Sequence, residues 1–334
     1  MARIGAGFRA IRQMTSRFSE GWLMIRIPKP HLSRRAFALT TLAGAGFLAM
    51  PRPLHAVGRA RNVTALAFDG DALLVACETL LRSDDGGTSW ASESASDAGD
   101  ILALATHPDR PGRVITGLAR GGVAVSDDGG RNWERGRGGL PDEAVTAIAV
   151  AAAQPDMVYA AVRGDGLWQS EDAGRFWTFT MDRPWLADAE RDPTALASVD
   201  LDTGMGGIWI YAGTEAGLTR VPDCFCRWQD VRPGNAMDAL VSGDAPPPEA
   251  PLPAGEPIHA LASAPSAPET LYAALPSGIW ASRNAGVVWS RVADGSASAV
   301  AAHPTSPRHI VAVLDGGLTQ SRDGGATWSA LAVI

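Results

Sequence analysis

The sequence predicts an all-β protein, a six-bladed β-propeller of four-stranded antiparallel blades, with seven blades as the alternative. Three observations lead there. The pattern Ser-x-Asp-x-Gly-x-x-Trp is complete four times, at 83–90, 126–133, 170–177 and 321–328. Two altered copies lie between the third and the last: 221–228, and 282–289, where Asn284 replaces the Asp. The closing tryptophans are Trp90, Trp133, Trp177, Trp228, Trp289 and Trp328. They stand 43, 44, 51, 61 and 39 residues apart, the period of a four-stranded blade. The composition, with 37 Gly, 23 Pro and 11 Trp in 334 residues, suits a turn-rich sheet protein with a large core.

The chemistry of one copy explains its spacing. The carboxylates of Asp85, Asp128, Asp172 and Asp323 can each accept bonds from backbone N–H groups a few residues on, which locks a tight turn. The glycine that follows supplies positive φ without a Cβ penalty. The tryptophan opens the returning strand and tucks its ring beneath the hairpin, burying a large apolar area. Because all four carboxylates occupy one position of the repeat, they read as turn staples and not as catalytic acids or calcium ligands.

The strands follow in order. In the third repeat, 145–150 (VTAIAV) is the first strand, 154–156 turns, and 157–162 is the second strand; 166–170 is the third and 177–180 the fourth. The same grammar fits 63–90, 101–133, 258–289 and 299–328, and it fits 194–228 with 208–212 as the second strand. Repeats of this kind bury their faces against their neighbours. Leu102, Leu104, Ile148, Val158, Leu261 and Ile310 are therefore expected in the core. Residues 57–62 are a candidate pairing strand for closing the ring. Two insertions, 181–193 and 232–257, lengthen links from a fourth strand to the next first strand. The second is rich in proline and reads as extended and mobile.

The first 56 residues read as an export leader. Ser33-Arg34-Arg35-Ala36-Phe37-Ala38-Leu39 resembles a twin-arginine signal. The apolar run from Ala36 to Met50 covers 15 residues, short for a membrane span, and Leu54-His55-Ala56 offers a cleavage site. No stable membrane span is expected after cleavage, and the chain is expected in the periplasm or secreted. The leader holds nine of the 29 basic residues and one of the 36 acidic ones, leaving 20 against 35, a net charge of −15. Such a surface repels phosphate backbones and argues against nucleic acid as a partner.

In a propeller, the lengthened links share a face with the turns between second and third strands, and the Asp-containing turns lie on the opposite rim. Binding is therefore expected on the face with the insertions, since loops on a rigid scaffold carry function. Arg120, Arg163, Asp165, Glu215 and Asp315 should ring that face. In the first insertion, Trp185, flanked by Arg183, Asp188, Glu190 and Arg191, is a candidate protein-contact anchor or a lid on blade four. Tyr159, Tyr211 and Tyr272 sit at equivalent second-strand positions, so they read as packing. Cys77 is expected as a buried second-strand thiol. Cys224 and Cys226 take the place of the staple's glycines, as a small strained disulfide or as two thiols. No cofactor or metal motif is present, and His107 and His303 fall in equivalent His-Pro turns.

The repeated turn resembles the Asp box of bacterial neuraminidase repeats. Its spacing, with x-Pro-Asp or His-Pro before Val-Tyr-Ala-Ala, is similar to photosystem II stability/assembly-factor-like proteins. That resemblance implies a non-catalytic scaffold which holds a partner protein while a membrane or redox complex is assembled, acting as a monomer or as a subunit of a hetero-complex. Sialidases share the turn but add a Tyr nucleophile, acidic residues and three arginines on the substrate carboxylate. Arg26-Ile27-Pro28, the one sialidase-like tripeptide, lies upstream of the twin arginines. Two alternatives stay open: a secreted glycoside hydrolase with acids among Asp165, Glu215, Asp315 and the insertion carboxylates, and a carbohydrate- or small-ligand-binding module.

Overall fold

Six small antiparallel sheets build the molecule in the computed structural model, which describes residues 62–93, 99–136, 138–201, 207–232 and 250–332. The leader with its twin arginines, Arg26-Ile27-Pro28, the pairing segment 57–61 and the insertion residues 233–249 lie outside the described residues.

Blade one pairs β1 (Ala65–Asp69), β2 (Ala72–Ala76), β3 (Leu80–Ser83) and β4 (Ala91–Glu93). Blade two has β5 (Ile101–Thr106), β6 (Val114–Leu118), β7 (Val123–Ser126) and β8 (Glu134–Arg135). Blade three has β9 (Val145–Ala151), β10 (Gln154–Val162), β11 (Gly166–Ser170) and β12 (Thr178–Met181). The first insertion folds as a hairpin of β13 (Trp185–Leu186) and β14 (Ala189–Glu190). Blade four has β15 (Ala195–Asp200), β16 (Ile208–Gly213) and β17 (Leu218–Pro222). Blade five has β18 (Ala260–Ser263), β19 (Leu271–Leu275), β20 (Gly278–Ser282) and β21 (Trp289–Ala293). Blade six has β22 (Ala297–Ala302), β23 (Ile310–Leu314), β24 (Gly317–Ser321) and β25 (Ser329–Ala330). Each described sheet pairs strands in chain order, and the described residues form six blades, not seven.

The expected elements differ from these in three places. Residues 154–156 belong to β10 and are not a free turn, because the ladder to β9 continues to Gln154 across a register shift. Blade four has no fourth strand among the described residues; one bridge, Arg220 to Gln229, stands where it would lie. Cys77 falls just after β2, half-exposed in the turn, with its Sγ donating to the Thr79 carbonyl.

The core sits between blades. Second-strand side chains such as Val158 and Ile310 are fully buried there, with Ile148 and Leu261 beside them. Leu102 and Leu104 are only half-buried, contrary to expectation. Along β5, burial alternates with period two: Ile101, Ala103 and Ala105 are buried, while Leu102 and Leu104 are half-buried beside the central cavity, where Leu104 also packs against the cluster between blades one and two. The first strands line that space as two small cavities of about 130 and 70 Å³, walled by Leu, Ala, Val, Thr and Ser.

The ring closes by packing and side-chain bonds between blades six and one. Leu66, Phe68, Leu73 and Val75 share a cluster with Val311, Val313, Leu318 and Leu331. The Trp90 indole donates to the Ala332 carbonyl at 2.7 Å, and His303 Nε2 meets Asp71 at 2.9 Å. His303 Nδ1 accepts backbone N–H bonds from Thr305 and Ser306, so Nε2 holds the proton given to Asp71.

Candidate functional site

The repeated turns are clasped by hydrogen bonds among their own residues. In blade two, Ser126 Oγ donates to Asp128 Oδ1 and accepts from the Gly130 N–H. Asp128 Oδ1 also accepts from the N–H groups of Arg131 and Asn132. The same set recurs around Ser83–Asp85, Ser170–Asp172 and Ser321–Asp323, and in reduced form around Ser282–Asn284. These bonds hold the carboxyls ionised. The Ser89 hydroxyl and N–H draw Asp85 down to about 2, and the Asn132 N–H and side chain draw Asp128 down to about 2. The Thr327 hydroxyl and N–H lower Asp323 as well. For Asp172, burial opposes the shift, and the N–H of Phe176 with the Ser170 hydroxyl overcomes it.

The tryptophan indoles bond either within their own turn or to a neighbouring part of the ring. Indoles of Trp133, Trp177 and Trp289 donate to the Gly carbonyl of their own turn. Trp228 donates instead to Asp182 of blade three, and Trp328 is shared between Gly325 and Val292 of blade five. Beside these turns lie the links from first to second strands and the start of β10, joined by bonds such as Gly129 N–H to Gly112 and Ala173 N–H to Asp156. An ionic net on this rim links Arg113 to Asp127 and Asp156, and Arg175 to Asp127.

At the other face, the turns between second and third strands meet the long links. The Ala119 N–H donates to Asp100, the Arg163 N–H to Ala144 and the Asp315 N–H to Ser296. Arg120, Arg163, Asp165, Glu215 and Asp315 are all exposed on these turns. They are spread over four blades and form no single cluster. Arg120 pairs loosely with Asp100 at 3.8 Å, and Asp165 accepts the Trp168 indole at 2.7 Å. Asp315 caps the preceding link through the Ser296 N–H.

Trp185 is different. It stands on the inserted hairpin with 67% of its surface exposed, so it is not a buried lid. Its base is pinned on two sides. Arg183 binds Glu190 and Asp192; Asp192 accepts the Gly164 N–H; and Arg191 reaches Glu215 of blade four at 3.4 Å. The pairing of Arg183 with Glu190 and Asp192 was missed from sequence. Its signal was opposite charges flanking a short hairpin, which only the register of β13 on β14 brings together.

A second feature was also missed. A cavity of about 300 Å³ lies between blades four and five and the described end of the second insertion. Leu218, Leu252 and Trp289 give it apolar walls, and Asp230, Arg232 and Glu256 give it charge. Nearby, Arg220 is buried with its guanidinium 4.4 Å from the Trp209 ring.

The three tyrosines are buried second-strand residues. Tyr211 donates its hydroxyl to the Ala285 carbonyl and Tyr272 to that of Pro307. Burial, helped by the charge of Asp223, raises the Tyr159 phenol well above its ordinary range. His107 is buried and bonded to the Ala152 carbonyl. Cys224 and Cys226 are joined by a disulfide. Among the described residues, no group of three His, Cys, Asp or Glu is placed to hold a metal ion, and no helix is long and apolar enough to cross a membrane.

No protein-family model matches the sequence, and a search of curated proteins finds no match. Solved structures do resemble it. The GH74 enzyme of Niastella koreensis superposes with a TM-score of 0.54 at 15% identity, over 82% of this chain and 46% of that one. The extracellular domain of the putative hybrid two-component system BT4673 from B. thetaiotaomicron gives 0.51 at 12% identity, over 78% and 32%. YCF48 bound to a D1 peptide gives 0.46 at 15% identity, over 78% and 77%. The chain spans just under half the length of the GH74 enzyme it matches, and at these identities the likeness is one of fold.

Proposed function

We propose that this chain is an exported, non-catalytic propeller that binds a partner protein through its insertion-bearing face, in the assembly or stability of an envelope or redox complex. The observation that carries this reading is Trp185, two-thirds exposed on a hairpin whose base is pinned by charge. An exposed indole on a rigid support has little entropy left to lose on binding, and such residues dominate interface energetics. At its base Arg191 pairs with Glu215, and Arg120, Arg163, Asp165 and Asp315 stand on other turns of the same face; charges so placed suit the polar rim of an interface. Export to the periplasm rests on the twin-arginine sequence at Ser33–Leu39, and the assembly role on the resemblance of the repeat.

The experiment is comparative capture from the envelope of the source cells, with a C-terminal tag. A protein recovered by the native chain and lost with Trp185→Ala, at unchanged melting temperature, supports the reading. Equal recovery by both, or by neither, overturns it. The second reading, a glycan hydrolase, draws on Asp230 and Glu256, which both line the 300 Å³ cavity. Turnover of an aryl-glycoside panel, abolished by Glu256→Gln, would favour it.

A further inference from the structure

We propose that the Cys224–Cys226 bond is a thiol–disulfide exchange site, which accepts two electrons from a dithiol. The case begins with what this turn lacks. Five of the six repeated turns are clasped by a serine hydroxyl that accepts a glycine N–H and donates to an Asp or Asn. In blade four, Val221 stands where that serine would be, and has no hydroxyl. The disulfide spans the turn instead. Phe225 between the cysteines holds a left-handed φ of 49°, at the position that Gly325 occupies in blade six. Its ring packs edge-on against Tyr159 at 5.9 Å.

A sulfur bridge is a poor choice if only rigidity is needed. Its sequence separation is two, and a cross-link across so short a loop removes little entropy from the unfolded chain. Serine and glycine clasp the same turn elsewhere in the molecule. What sulfur adds is reversibility. Both cysteines are exposed, so an attacking thiolate reaches either sulfur. An exposed disulfide closing a ring of three residues belongs to the labile class, unlike buried bridges over long loops. Cys77 takes no part, since it lies in a turn between second and third strands, on the opposite face.

The exchange balances as follows. A thiolate of the dithiol attacks one Sγ; the Cys224–Cys226 bond breaks, and its electron pair leaves on the other Sγ, which takes a proton. The second thiol of the donor attacks the mixed disulfide and releases the first Sγ. The products are a Cys224/Cys226 dithiol and an oxidised donor, with two electrons and two protons transferred. This chemistry needs no partner bound beside Trp185.

The test is equilibration of the purified, air-oxidised protein with glutathione buffers of graded ratio, then acid quench, alkylation and mass spectrometry of the peptide holding both cysteines. The expected result is a bond that is intact at the start and is reduced at least about tenfold faster than a buried, long-loop disulfide in the same buffer. Cys226→Ser should trap glutathione on Cys224 as a mixed disulfide. Two results overturn the proposal: cysteines already free before any reductant is added, or a bond still oxidised in about a hundredfold excess of reduced glutathione. The titration uses the native sequence, so it decides the matter even if the serine variant fails to fold.

Discussion

Replacing Ser126 by Ala isolates what the clasp contributes. Ser126 is buried at 1% exposure; its Oγ donates to Asp128 Oδ1 at 2.8 Å and accepts the Gly130 N–H at 2.9 Å. Alanine strands that N–H in a dry turn, and an orphaned donor costs about 1–3 kcal/mol. Losing the bond to Asp128 adds less, because this carboxylate keeps the N–H groups of Arg131 and Asn132. The expected loss is about 2 kcal/mol, or roughly 4–8 °C in melting temperature for a domain of this size. Urea unfolding followed by tryptophan fluorescence should show a lower midpoint at unchanged slope. Ser89→Ala is the control. The Ser89 hydroxyl also meets a clasp carboxylate, Asp85 Oδ2 at 2.6 Å, but it is exposed, so the cost should stay within about 0.5 kcal/mol. Equal effects at Ser126 and Ser89 would refute the view that the buried N–H makes the clasp matter.

Acid should loosen the same turns. Asp85 and Asp128 titrate near 2 when folded against 3.8 as the ordinary value, so the unfolded chain takes up protons first as pH falls. Their stabilisation is full above pH 4 and drains between about 4 and 2; a melting temperature that is flat across that window would contradict this. Gly278→Ala should cost several kcal/mol, at least about 3, since the added Cβ would sit 1.9 Å from the Ala293 carbonyl oxygen at a φ of 134°. Soluble, fully stable protein carrying that change would show that the β20–β21 edge is placed wrongly.

Where one residue type has one job in every repeat, the sequence was easy to read. The tryptophan period and the Ser-Asp-Gly turn depend on neighbours within eight residues, so blade number and clasp were legible in advance. Leu102 and Leu104 are less buried than expected because the first strands border the central cavity, and an apolar strand reads alike with or without that empty space beside it. The missing fourth strand of blade four was hidden because Trp228 is kept while its pairing shrinks to Gln229. Closure by Trp90 on Ala332 joins residues 242 positions apart, beyond any local pattern. At the candidate site, exposure of the charged turns followed from topology. The pairings of Arg183 with Glu190 and Asp192, and of Arg191 with Glu215, did not, because they depend on how a two-residue-stranded hairpin leans on blade four.

The most direct measurement places a photoreactive phenylalanine analogue at Trp185 in one protein and at Arg131, on the opposite rim, in another. Each is irradiated in the intact envelope and its adducts identified. The account predicts one discrete protein adduct from position 185 and none from 131. The same adduct from position 131 alone, or none from either, would contradict it.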